Sequence, residues 1–311
     1  MSAHQFFARA FYALYLTTTV VWGEVRCPGG TDPIRYHSLQ NSEIGISVRI
    51  NGSGPYEFVL DTGSQMTLVE PSLAKELRLE TAGHAGVLSA VRHAVVDMVR
   101  LDRVETGPYS VGQSLAAVQS LEQIQGANPG VRGMLGENFL ARFDLLIDHA
   151  HRIVCFDRSG QMRQELRGDR ISLVMDTDPA ADLRVPQPLL IPVELGDLAR
   201  PGKTMRHVNL LIDSGANVPQ LFVNTLETAP WKQRQNALQG RVTGNAAQFF
   251  ALMPGQDIHI GKHVVSNVVF ATPLNAPGNV DSKGEDGLLP TSLFRRVLVS
   301  YADRYVILDP R

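Results

Sequence analysis

Two aspartates sit in nearly the same surroundings. Phe58-Val59-Leu60-Asp61-Thr62-Gly63-Ser64 and Leu210-Leu211-Ile212-Asp213-Ser214-Gly215-Ala216 are each an apolar run that ends in Asp, a hydroxyl residue, Gly and a small residue. A short apolar run of this kind reads as a strand that delivers its Asp into a tight turn. The hydroxyls of Thr62 and Ser214 are placed to brace the turns by bonding to backbone. Gly63 and Gly215 allow backbone to approach a carboxylate closely, and Ser64 and Ala216 complete the loops. If the turns face each other, Asp61 and Asp213 form a pair that cannot both ionise at low cost, so they share a proton. The charged member can then take a proton from water while its protonated partner donates one.

The sequence downstream of each Asp repeats as well. Gly133-Met134-Leu135-Gly136-Glu137-Asn138-Phe139-Leu140 is matched by Gly287-Leu288-Leu289-Pro290-Thr291-Ser292-Leu293-Phe294. Two apolar runs come after each of these, the second ending at Asp157 or Asp309. The offset between halves is 152 residues at the site aspartates (213 − 61), 154 at the glycines (287 − 133) and 152 at the closing aspartates (309 − 157). Upstream, Ile46-Ser47-Val48-Arg49-Ile50-Asn51-Gly52 has a counterpart in Ile191-Pro192-Val193-Glu194-Leu195-Gly196. Four landmarks in one order indicate a duplicated unit.

On these motifs each half resembles a retropepsin-type aspartic protease unit, and the whole resembles a single-chain, two-lobed aspartic protease. The match covers roughly residues 44–158 and 186–310. The resemblance implies a mostly β fold: two duplicated retropepsin-like β-barrel lobes with a cleft between them. It also implies Asp61 and Asp213 as the catalytic dyad. A dyad sharing one proton is the general account of these enzymes. Two departures fall in the second half. Pro290 stands where the family has Gly, and Pro219 occupies the position of Thr67.

Length and composition suit this reading. A chain of 311 residues fits about two domains, and 44% apolar residues can fill two cores. With 29 basic and 31 acidic residues mixed along the chain, no block of one charge sign suggests nucleic acid or an anionic membrane as partner. The two cysteines are too few for a structural zinc site, and no His or carboxylate cluster has ligand spacing, so neither metal nor cofactor is expected. His84, His93, His149, His151, His207, His259 and His263 are scattered and read as solvated or hydrogen-bonded turn residues. No Gly-x-Ser-x-Gly elbow occurs, and Cys155 lies in an apolar run, which disfavours a Ser or Cys nucleophile.

Residues 1–30 form a separate segment. The apolar run at 11–22 comes after Arg9 and precedes Gly23, in the manner of a signal peptide. The alternatives are a segment packed on the body or an uncleaved anchor. Export would permit a Cys27–Cys155 bridge; otherwise Cys155 is a small buried residue and Cys27 a free thiol. Residues 31–160 are expected to form the first lobe and 161–311 the second, joined through 158–186, where Ile171 to Met175 has the pattern of a shared central strand.

Strands are expected at 46–50, 56–61, 95–104, 144–148, 152–156, 189–195, 207–213, 247–253, 257–260, 264–270, 297–301 and 304–308. Helices are expected at 71–77, 115–123, 137–142 and in part of 223–239. Residues 81–96 and 240–250 lie where each lobe would place a flap hairpin over the cleft, and 275–285 reads as a loop at the cleft edge.

The function expected from these residues is hydrolysis of peptide bonds by an exported, monomeric endopeptidase acting on a polypeptide. It would have no membrane domain beyond an N-terminal anchor. A competing class is a peptide-binding module that keeps the fold without productive geometry, to which Pro219 and Pro290 would point. Hydrolysis of a non-peptide ester or amide is a third.

Overall fold

A computed structural model describes residues 25–40, 43–89, 92–174, 186–196, 206–222, 236–238, 250–253, 255–273 and 284–309. Among these the chain is mostly β and forms three sheets. The first lobe has an eight-stranded sheet in the order His37–Ser38, Ile44–Ile50, Ser53–Leu60, Val131–Leu135, Thr67–Val69, Tyr109–Val118, Arg92–Thr106, Thr81–Ser89. The second has a nine-stranded sheet centred on Gly287–Pro290 and Arg206–Asp213. A six-stranded sheet takes strands from both halves, in the order Ile34–Arg35, Ile153–Asp157, Asp144–Asp148, Arg296–Ser300, Tyr305–Leu308, Ile171–Ser172.

The sequence repeat reappears as strand register. In the first lobe Phe58 pairs with Gly133 and Leu60 with Leu135, in parallel. In the second, Leu210 pairs with Gly287 and Ile212 with Leu289, also in parallel. Adding the 152- and 154-residue offsets to the first set of pairs gives the second. In the shared sheet Leu146 pairs with Leu298, its own counterpart, so a pseudo-two-fold axis passes between them. The outer strands obey the same axis: Ile34 pairs with Val154, and Ile171 with Val306.

Alternation explains the outer strands and continuous apolarity the inner ones. In Ile44–Ile50 the side chains of Ile46, Val48 and Ile50 are buried while Arg49 is exposed. Phe58, Val59 and Leu60, which carry Asp61, are all fully buried, as strands covered on both faces require. The core cluster is continuous across both lobes and one face of the shared sheet. On the other face of that sheet Leu146, Cys155, Leu298 and Ile307 pack with Cys27 and Met162. Cys27 and Cys155 are disulfide-bonded, and the Gly29 N–H donates to Glu165 Oε2 at 2.8 Å. Residues 25–30 are thus fastened to the body, while 1–24 lie outside the described residues.

Most of the expected strands and two of the expected helices are present, the latter as Pro71–Glu76 and Glu137–Leu140. One expectation needs correction. No helix covers 115–123: the strand Tyr109–Val118 continues through it, and a short helix comes after it at Glu122–Gln125. Ala116 pairs on one side with Thr67 and on the other with Val99, and this two-sided pairing overrides the helical preference of alanine. Within 223–239, Asn236–Leu238 is a strand paired with Phe250–Leu252, and 223–235 lie outside the described residues. The shared strand expected from 171 to 175 is present over Ile171–Ser172. The first expected flap is an antiparallel hairpin in which Ser89 pairs with Arg92. Residues 239–249 and 274–283, which hold most of the second flap and the cleft-edge loop, lie outside the described residues.

Candidate active site

Asp61 and Asp213 each leave the end of a buried strand at the junction of the two lobes. The parallel partner strand lies beside each, and the Asp61 N–H donates to the Leu135 carbonyl at 3.1 Å. The next residue of each lobe, a hydroxyl residue, reaches into the other lobe. Thr62 N–H donates to Ser214 Oγ at 3.0 Å, and Ser214 N–H to Thr62 Oγ1 at 3.0 Å. Thr62 Oγ1 in turn donates to the Ile212 carbonyl at 2.8 Å, and Ser214 Oγ to the Leu60 carbonyl at 2.8 Å. Each hydroxyl therefore donates and accepts once, and four buried bonds fasten the two loops together. The sequence predicted bracing by these hydroxyls; that the bracing crosses between lobes is a finding of the structure.

The loop glycines are required by the facing carboxylate. A Cβ on Gly63 would lie 2.5 Å from Asp213 Cγ, and one on Gly215 would lie 2.7 Å from Asp61 Cγ. Any side chain at either position would collide with the carboxyl of the other lobe. Gly63 N–H donates to Asp61 Oδ1 at 2.8 Å. Gly215 and Ala216 N–H donate to Asp213 Oδ1 at 2.7 and 3.0 Å. Ser64 donates its backbone N–H to Asp61 and its hydroxyl to the Met66 carbonyl at 2.7 Å. All eight residues expected at the site are brought together.

Both aspartates are buried, at 6% and 8% exposure, and each faces the other and the amides of its own loop. Burial raises the pKa of Asp61 well above the carboxylate range, and the charge of Asp213 raises it further. Burial also raises Asp213, against which the N–H donors and a hydrogen bond from Asp61 work. Two buried carboxyls that face each other cannot both ionise at low cost, and both are raised.

Residues 46–139 match the family model described as aspartyl protease. The fold is similar to that of the aspartic proteinase from Irpex lacteus, with a TM-score of 0.53 over 89% of this chain and 97% of that one, at 10% sequence identity. The first lobe thus matches an aspartyl protease model in sequence, and the whole chain is similar in fold to an aspartic proteinase. No curated protein sequence matches it. The family match stops at the first lobe, which is where the motif residues keep the family pattern without departure.

The two second-lobe departures from the family pattern are coupled. In the first lobe Gly136 N–H donates to Thr67 Oγ1 at 3.3 Å, and Thr67 also bonds to Asn138 Oδ1. Pro290 has no N–H to donate and Pro219 no hydroxyl to accept, so donor and acceptor are replaced together and neither is left unsatisfied. The surrounding space differs as well. A Cβ on Gly136 would lie 2.4 Å from the Met66 backbone, whereas Pro290 carries one. Pro290 still pairs with Asp213 in register.

One buried group near the site was missed in the sequence. Glu137 is 1% exposed and within electrostatic reach of Asp61. As the first residue of a short helix it reads as an ordinary exposed acid at a helix start, and only the packing of the lobes reveals its burial. Among the described residues, no group of three or more His, Cys, Asp or Glu side chains is arranged to hold a metal ion.

Proposed function

We propose that the protein is an aspartic endopeptidase in which Asp61 and Asp213 share one proton across the lobe junction. The reading is carried by the reciprocal placement of the two loops: each glycine faces the other lobe's carboxyl, and each hydroxyl is tied to the other lobe's backbone. In this mechanism ionised Asp213 takes a proton from water as the water oxygen attacks the scissile carbonyl carbon. Asp61 gives its proton to the carbonyl oxygen, forming a neutral gem-diol. Collapse of the diol returns a proton to Asp61, while Asp213 passes its proton to the leaving nitrogen, so the dyad ends in its starting state. No covalent intermediate is needed.

Both carboxyls come from one chain, so a monomer suffices. The hairpin formed by Thr81–Ser89 and Arg92–Thr106 suits a lid over an extended polypeptide, read by backbone bonds at strand edges. The Cys27–Cys155 bridge suits an exported protein in an oxidising compartment, with residues 1–24 as its leader or anchor. Among the described residues no helix is long and apolar enough to cross a membrane. The prolines at 219 and 290 give no support to an inactive binding module, since they remove one donor and one acceptor together. The test is cleavage of a diverse peptide library from pH 3 to 8 by wild type, Asp61→Ala and Asp213→Ala. Cutting by wild type alone supports the proposal; cutting by either variant, or by none of the three, rejects it.

A further inference from the structure

The pseudo-two-fold axis relates two polar sites, one beside each active-site loop, and they differ in how their buried atoms are satisfied. Thr291, His149 and Arg152 are the counterparts of Glu137, Tyr301 and Arg304, at offsets of 154, 152 and 152 residues. Arg152 and Arg304 share a left-handed backbone conformation, with φ of 55° and 54°. Their carbonyls accept the N–H groups of Tyr36 and Leu173 at 3.1 and 3.0 Å, which makes Leu173 the counterpart of Tyr36. The neighbouring strand pairs agree: Ile34 lies opposite Val154 and Ile171 opposite Val306, at the same offset of 137 residues (173 − 36 and 171 − 34).

Beside the Asp213 loop, side chains complete the chain of hydrogen bonds. Thr291 Oγ1 lies 3.2 Å from His149 Nε2, and His149 Nδ1 lies 3.0 Å from the Tyr36 hydroxyl. Asp148, whose charge acts on both His149 and Tyr36, is itself paired with His151 Nδ1 at 2.9 Å and Arg296 Nε at 3.2 Å.

Beside the Asp61 loop the corresponding side chains do not satisfy one another. Among the described residues, neither Glu137 oxygen, nor the Tyr301 hydroxyl, nor Arg304 Nε has a hydrogen-bond partner, although all four atoms are buried. Leu173 stands in the place of Tyr36, is itself buried and brings no hydroxyl. Glu137, Tyr301 and Arg304 lie within electrostatic reach of one another. Both ends of the group are held. Glu137 N–H donates to the Ser64 carbonyl at 2.8 Å, and the tip of Arg304 lies 3.5 Å from the Gln187 and Val174 carbonyls. Buried polar groups of native proteins are satisfied by protein or by ordered water in the large majority of cases, and a buried water typically makes about three hydrogen bonds.

We propose that Glu137, Tyr301 and Arg304 form a binding site for an internal water, which supplies the partner that Leu173 does not and joins the Asp61 loop to the second lobe. The donor set selects water. Arg304 Nε can only donate, so the ligand must accept; a Glu137 carbonyl oxygen can only accept, so the ligand must donate. The Tyr301 hydroxyl serves in either sense. A metal cation would be opposed by the Arg304 guanidinium, and an anion by the charge of Asp61, which already acts on both Glu137 and Tyr301. Burial raises the pKa of Glu137 well above the carboxylate range, with Arg304 lowering it and Asp61 raising it further. Its neutral carboxyl offers a donor as well as an acceptor, which a water accommodates and a fixed charge would not. The water adds a second tie between the lobes to the one made by Thr62 and Ser214.

The site stands apart from the reacting carboxyls, so its test needs no substrate and no turnover. Crystal structures of the full chain, at a resolution that shows ordered waters, are compared for wild type, Glu137→Gln and Glu137→Leu. Wild type is expected to show a water peak within hydrogen-bond distance of a Glu137 oxygen and of either the Tyr301 hydroxyl or Arg304 Nε. Glu137→Gln keeps a donor and an acceptor and should retain the peak; Glu137→Leu should lose it. In solution, 17O relaxation dispersion of water should count one long-lived internal water fewer in Glu137→Leu than in Glu137→Gln. A direct bond from Glu137 to Tyr301 or Arg304 in wild type, with no water between them, overturns the proposal. So does a dry site, a peak that Glu137→Leu leaves in place, or equal counts in the two variants. If Glu137→Leu does not fold, the wild-type crystal structure decides alone, by the presence or absence of the bridging peak.

Discussion

Replacing Ser214 with Ala tests whether the bracing between lobes positions the dyad. The substitution removes the bond from Ser214 Oγ to the Leu60 carbonyl and the bond that Thr62 N–H makes to Ser214 Oγ. Thr62 and Leu60 are fully buried and Ser214 is 4% exposed. The space left by one oxygen is too small to admit a bridging water. The orphaned Thr62 N–H costs about 1–3 kcal/mol, and the Leu60 carbonyl adds up to about 1 kcal/mol more. A loss of about 2–4 kcal/mol is therefore expected, a large part of a typical total of about 5–15 kcal/mol. Because these bonds join residues more than 150 positions apart, the loss falls on the docking of the lobes, and the carboxyls should lose register. A misplacement of about 1 Å lowers kcat by roughly 100-fold.

Ser214→Thr provides the control, since Thr62 makes the equivalent bonds from the other lobe; it should keep most of both stability and rate. Urea unfolding of the three proteins, together with kcat on a peptide taken from the library screen, decides the matter. Stability of Ser214→Ala within about 0.5 kcal/mol of wild type, the usual range for a surface change, would show that the cross-lobe bonds do not hold the lobes in register.

Three further outcomes are expected. Both dyad carboxyls have folded-state pKa values raised above their unfolded values, so the native state binds more protons than the unfolded state above the unfolded carboxylate range. Stability therefore falls as pH rises through the folded pKa. Asp61→Asn should have a higher Tm than wild type at pH 8, with the gap closing below about pH 4, and no activity; a gap independent of pH in thermal melts would contradict this. Gly215→Ala places a methyl 2.7 Å from Asp61 Cγ and should lower kcat by at least about 100-fold even where circular dichroism reports an intact fold; near-normal turnover would rule out the close approach. Gly136→Ala should destabilise by about 1–3 kcal/mol through overpacking, whereas Pro290→Ala should cost less than that, a contrast that thermal melts of the two variants can check.

The duplicated motifs were legible because they are local. Asp61 to Ser64 and Asp213 to Ala216 announce themselves in four residues each, and the apolar runs before them have the short, uninterrupted form of doubly covered strands. Register between the halves could be read from offsets alone, and the structure pairs Leu60 with Leu135 and Ile212 with Leu289 accordingly. The features that stayed hidden depend on long-range contacts. Ala116 and Ala117 look helical until Thr67–Val69 and Arg92–Thr106 are placed on either side of them. The Cys27–Cys155 bond was one of two open readings, because 128 positions of separation say nothing about proximity. Glu137 could not be distinguished from a solvated acid without knowing that the packing of the lobes buries it.

The departures from symmetry carry different meanings. Where a hydrogen bond crosses between two changed positions, as at Thr67 and Gly136 against Pro219 and Pro290, a matched change leaves no buried group unpaired, and the strand that delivers Asp213 keeps its register. Such a matched change costs no buried hydrogen bond. Where one buried ionisable residue stands opposite a neutral one, as Glu137 opposes Thr291, the change is not matched across the axis. A dyad with perfect two-fold symmetry has no reason to place its proton on either carboxyl, yet general acid and general base are distinct roles in each turnover.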